Sequence, residues 1–101
     1  MVARQARAEY VAVLAAQKET IGARHPDTLL TQDNLAILLG NKLGEVGEAC
    51  ALMREVAAAR TAVLGAEHED TRRAAAALAQ WEAQLGQRSA PARRGGGRRR
   101  V

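Results

Sequence analysis

The stretches GARHPDT, residues 22–28, and GAEHEDT, residues 65–71, agree at five of seven positions across an offset of 43 residues. The agreement continues outward at the same offset. Ala6, Ala8, Val13, Ala15 and Ala16 pair with Ala49, Ala51, Val56, Ala58 and Ala59, and Leu35 and Ala36 pair with Leu78 and Ala79. Residues 6–36 and 49–79 share 12 identities in 31 pairs; alanine supplies six, and the others hold the register. A period of this size marks stacked supersecondary units. Gly22 and Gly65 fit a backbone that closes a helix, and Pro26 fits the first turn of the next, with Asp27 beside the positive end of its dipole. The heptapeptide therefore reads as a joint between helical hairpins.

Apolar spacing fills in the helices on either side. Tyr10, Val13, Leu14 and Ile21 suggest a first helix over about 3–21. Leu35, Ala36, Leu38, Leu39 and Leu43 form the inward stripe of a second, over about 26–41. Gly44 and Gly47 mark a turn. Ala49, Leu52, Met53, Val56, Val63 and Leu64 recur along a third helix, 46–64. Ala74, Ala75, Leu78, Trp81 and Leu85 share a face of a fourth, 69–85. Short connections make neighbours antiparallel. The expected architecture is all-α: antiparallel helix-turn-helix repeats forming a short α-solenoid fragment of about four helices in residues 1–86, then a disordered Arg/Gly-rich tail in 87–101.

Composition agrees with helices. Phe is absent, Tyr10 and Trp81 are the only aromatics, and the apolar content is mostly Ala, Leu and Val, which suits thin, closely packed helices better than a sheet. The formal net charge of +4 hides a segregation. Residues 1–87 carry nine Lys or Arg and all eleven acids, a net −2, whereas the tail carries six arginines. Cys50 has no partner for an internal disulfide, so a reducing, cytoplasmic setting is expected and a packed thiol is the simplest role. The opening MVARQARAEYVAVLAA has a short apolar run and fits the repeat, so it reads as helix and not as a leader, and no stretch is apolar enough to span a bilayer.

These residues resemble the tetratricopeptide repeat family, in particular the long-period class of kinesin light chains. The resemblance rests on Thr28-Leu29, Asn34-Leu35-Ala36-Ile37-Leu38-Leu39, Glu48-Ala49, Leu52-Met53-Arg54-Glu55, Val63-Leu64-Gly65 and His68, and it covers residues 6–85. Two departures stand out. GNKLGEVGEA is one residue longer than the family's pattern, so a bulge or late helix start is expected between Gly40 and Gly47. One complete helix pair is flanked by two half pairs, which suggests a longer array, a displaced start, or pairing with another chain.

The resemblance implies a non-enzymatic protein-interaction scaffold. The first helices of successive pairs would line a concave face that takes a peptide or protein partner. On the second helix, the residues expected to face away from the third are Leu30, Asp33, Asn34, Ile37 and Asn41; on the fourth helix the polar candidates are Gln80 and Gln84. Asn34 is the sharpest, because a carboxamide offers donor and acceptor to any peptide backbone, although a helical Asn also bonds locally. Trp81 is expected to pack in the core; if the array continues through another chain or by self-association, Trp81, Leu85 and Leu78 at one end and Tyr10 and Leu14 at the other are the expected contacts.

Other chemistry finds little support. His25 and His68 are repeat-equivalent and too far apart in sequence for metal-ligand spacing, so they read as parts of the joint, and no metal or cofactor is expected. No phosphate-cradling loop or nucleophile with a base is evident, so no enzymatic activity is expected. The alternative function lies in the tail, where Arg93, Arg94, Arg98, Arg99 and Arg100 suit nonspecific polyanion contact such as nucleic acid. No interleaved aromatics supply a base-stacking platform there.

Overall fold

The computed structural model describes the backbone of residues 2–97 and the side chains of residues 2–87. Four α-helices follow one another: α1 (Val2–Thr20), α2 (Pro26–Ile37), α3 (Val46–Leu64) and α4 (Glu69–Gly97). No strand occurs among the described residues. No helix among them is long and apolar enough to cross a membrane. The starts of α2, α3 and α4 fall where the joint and turn residues predict. The backbone of α4 runs beyond the expected Leu85 to Gly97. Of the tail expected to be disordered, residues 98–101 lie outside the described residues, as do the side chains of all five candidate arginines.

The two joints have the same construction. Gly22 and Gly65 take φ of 98° and 93°, values that a side chain makes costly. The imidazole Nδ1 of His25 accepts the Asp27 amide N–H at 3.0 Å, and Nδ1 of His68 accepts the Asp70 amide at 3.0 Å. Each histidine thus satisfies an amide at a helix start that has no carbonyl partner within the helix. The repeat-equivalent histidines serve the joint, as their positions suggest. Pro26 begins α2, where its missing N–H is not needed.

The extra residue in GNKLGEVGEA is absorbed by a π-helical turn, Leu38–Lys42, that continues α2. Its signature is the Leu43 amide bonded to the Leu38 carbonyl at 3.1 Å, a span of five residues. The expected bulge therefore lies inside the end of the second helix, beginning two residues before Gly40. Gly47 belongs to α3 and not to the turn. Trp81 explains Gly40: a Cβ there would lie 2.5 Å from the indole Cε2. The ring packs flush on bare backbone.

The core runs between the helices as one cluster. Leu14 comes from α1, Leu35 and Ala36 from α2 and Leu39 from the π turn; Val46, Ala49, Cys50, Met53 and Val56 come from α3, and Ala74 and Trp81 from α4. Several residues that fall on the apolar helical spacing lie outside the core. Val13, Ile21, Val63 and Leu64 are 48%, 42%, 57% and 41% exposed, and Ala75 is also exposed. The first four sit on outer faces or at helix ends near the joints, where no further helix covers them among the described residues. Ala75 lies one position beyond the buried Ala74, on the side of α4 turned from α3.

Candidate partner-binding groove

Because α2 and α4 both run antiparallel to α3, they point the same way and flank a common hollow. Its walls are Leu30, Asp33, Asn34 and Ile37 from α2 and Arg73, Ala74 and Ala77 from α4, and Met53 of α3 also lines it; the volume is about 410 Å³. Four residues expected on the partner-facing side of the second helix are thus brought together. Leu30 and Ile37 are 53% and 41% exposed, and Asn34 is exposed between them. Asn41 is exposed within the π turn but does not line the hollow; Gln80 is exposed and Gln84 half-buried on α4, beyond its far end.

Asp33 differs from the expectation that it turns away from the third helix. Its Oδ2 accepts from Arg60 Nη1 of α3 at 3.0 Å, with the two side chains only 20% and 11% exposed. The carboxylate is therefore committed to holding α2 against α3. Beside it, the buried Gln32 donates through Nε2 to the Leu52 carbonyl at 3.0 Å and to Glu55 Oε1 at 2.9 Å. Both bonds tie α2 to α3, so the wall that presents Leu30, Asn34 and Ile37 is braced from behind.

A second hollow of about 320 Å³ adjoins the first at Leu30. It lies between the two joints and is lined by Pro26, Leu29, Leu30, Val63 and Leu64, with Arg24, Asp27, Arg60, His68 and Asp70 supplying the polar groups. Sequence reasoning placed Val63 and Leu64 on the third helix and named no such hollow. The available signal was their place at the last turn of the helix, level with the joint and not with the core stripe.

Arg73 is the nearest cation on the α4 wall. It is 71% exposed and reaches Glu69 Oε2 at 3.1 Å and Asp70 Oδ1 at 4.0 Å, pairs too solvated to hold it firmly. Cys50 is buried in the core, and that burial pushes its thiol up from the ordinary value; Arg54 opposes the shift and Glu82 reinforces it. The thiol is packed instead of poised for attack. No group of three or more His, Cys, Asp or Glu suited to a metal occurs among the described residues.

No curated protein matches the chain. Residues 28–70, which span one full period through α2, the π turn, α3 and the following joint, match the family model of the tetratricopeptide repeat, and the helix pair is similar to a repeat of that type.

Proposed function

We propose that the chain is a protein-interaction module, non-catalytic and cytoplasmic, whose α2–α4 groove holds an extended or helical segment of a partner protein. The observation that carries this reading is the hollow where Leu30, Asn34 and Ile37 face Arg73, Ala74 and Ala77 over Met53. Exposed aliphatic side chains in a concavity supply anchoring, and one carboxamide between them supplies backbone hydrogen bonds. The adjoining hollow at Leu30 extends the apolar floor past the joints. The repeat match supports an interaction role in general terms, and the 43-residue period with its joints supports the long-period class that includes kinesin light chains.

Because α4 offers Ala77 where α2 offers Asn34, and Asp33 is taken up by Arg60, the polar contacts come down to Asn34 and Arg73, and affinity rests on few anchors. Selection from a displayed random-peptide library followed by amide chemical-shift mapping tests this. Bound peptides are expected to shift Leu30, Asn34, Ile37, Arg73 and Ala77 together. Asn34→Ala is expected to weaken them about tenfold, roughly the value of one or two hydrogen bonds, with helicity unchanged. Binders whose footprint lies elsewhere, or which ignore Asn34→Ala, remove the groove from consideration. Deleting residues 88–101 is expected to leave groove binding intact; loss of all binding on that deletion favours the arginine tail.

A further inference from the structure

The repeat places one helix face in two opposite situations. On α3, Val46, Ala49, Met53, Val56 and Ala59 follow one another at three- and four-residue steps, and none is more than 7% exposed. The first four share the core with Leu35, Ala36 and Leu39 of the preceding helix and turn. Forty-three residues earlier the same line reads Ala3, Ala6, Tyr10, Val13 and Ala16, three of the five residues being identical. Ala3, Ala6 and Tyr10 are only half-buried, Tyr10 resting against the edge of the core, and Val13 and Ala16 are exposed; Val13 is 48% exposed where Val56 is 0%. To reach α2, α1 uses the neighbouring position Leu14, which is 7% exposed.

The matching face is open at the other end of the molecule. α4 is the counterpart of α2, and Thr71 is buried just as Thr28 is. Yet Ala75 and Ala79, which correspond to the buried Gln32 and Ala36, are exposed. The charges agree with this. At the same offset, Arg7 of α1 replaces the buried Cys50, and Glu82 of α4 replaces the buried Leu39. Two members of the shared core thus correspond to a base and an acid. Within the chain those two groups hold only half-exposed pairs, Arg7–Glu48 at 3.5 Å and Arg54–Glu82 at 3.0 Å.

We infer that a second copy of this chain covers these faces. α1 of one copy docks on α4 of another as α3 docks on α2, completing a helix pair across the boundary between chains. The contact joins two different surfaces, so it does not close on itself and copies add head to tail. The inference is independent of the groove, since Val13, Ala75 and Ala79 do not line it.

Sedimentation velocity over a wide concentration range tests it with the full chain. The parent is expected to grow past the dimer as concentration rises. Val13→Glu and Ala79→Glu, both at positions exposed in the single chain, are each expected to stay monomeric with unchanged helicity. Mixed in equal amounts, each variant retains the face the other lacks, so the mixture is expected to give a one-to-one dimer and nothing larger. Should a glutamate variant lose helicity, charge reversal reads the same contact: Arg7→Glu or Glu82→Arg alone weakens association about tenfold, and the double reversal restores it. A parent that is monomeric throughout, a mixture that stays monomeric, or a double reversal that fails to recover overturns the inference.

Discussion

Gly40 shows most directly how one residue fixes the packing of two elements. Its missing side chain lets the Trp81 indole lie on the backbone, and any Cβ must displace the ring. Gly40→Ala is therefore expected to destabilise by about 1–3 kcal/mol, the usual cost of overpacking, seen as a lower urea midpoint at unchanged slope. Gly86→Ala, where an added Cβ meets nothing within 4 Å, is expected not to lower the midpoint. His25 is a second test at this scale. Replacing it with Ala removes the acceptor for the Asp27 amide, a loss of about 0.5–2 kcal/mol in capping energy, and hydrogen exchange should accelerate at the first turn of α2 ahead of α3. Equal acceleration in both helices contradicts a local capping role. The joint histidines were legible in the sequence because the repeat shows each twice; Gly40 was not, because its reason is a ring 41 residues away.

Among the elements, α2 and α3 are fastened by polar bonds as well as by apolar burial. Asp33 and Arg60 are mostly enclosed, whereas Arg54 and Glu82, which link α3 to α4, are 58% and 46% exposed. Solvent screening separates the two pairs. Double-mutant cycles with alanine are expected to give a coupling of about 1 kcal/mol or more for Asp33–Arg60 and about 0.5 kcal/mol or less for Arg54–Glu82. The reverse order contradicts the view that the α2 wall is braced by α3. Helix positions were readable because Gly, Pro and apolar spacing punctuate the chain. The sequence also carried the excess residue that the π turn holds, since a single insertion has to be absorbed locally when the stripes on both sides keep their faces. The commitment of Asp33 to Arg60 was not readable: a wheel of helix positions places Asp33 near the boundary between faces, and only the reach of an arginine from α3 decides the side.

For the whole molecule, the decisive property is that successive hairpins stack in one sense. The principal extents of 57 × 37 × 19 Å describe a flat layer of helices, as expected when each helix pair meets only its neighbours. Stacking makes α2 and α4 parallel walls of a groove, and it also leaves the outer faces of α1 and α4 open to a second copy. The periodic sequence made the stacking legible. It did not show the depth of the groove or the adjoining hollow, because those depend on where exposed Leu30, Val63 and Leu64 come together between two joints. The most direct test is a methyl nuclear Overhauser experiment on the chain in solution. The account predicts cross-peaks linking the Leu30 and Ile37 methyls of α2 to those of Ala74 and Ala77 in α4, with Met53 seen from both sides. Contacts from α4 to α1 in place of these, as in a closed four-helix bundle, contradict it.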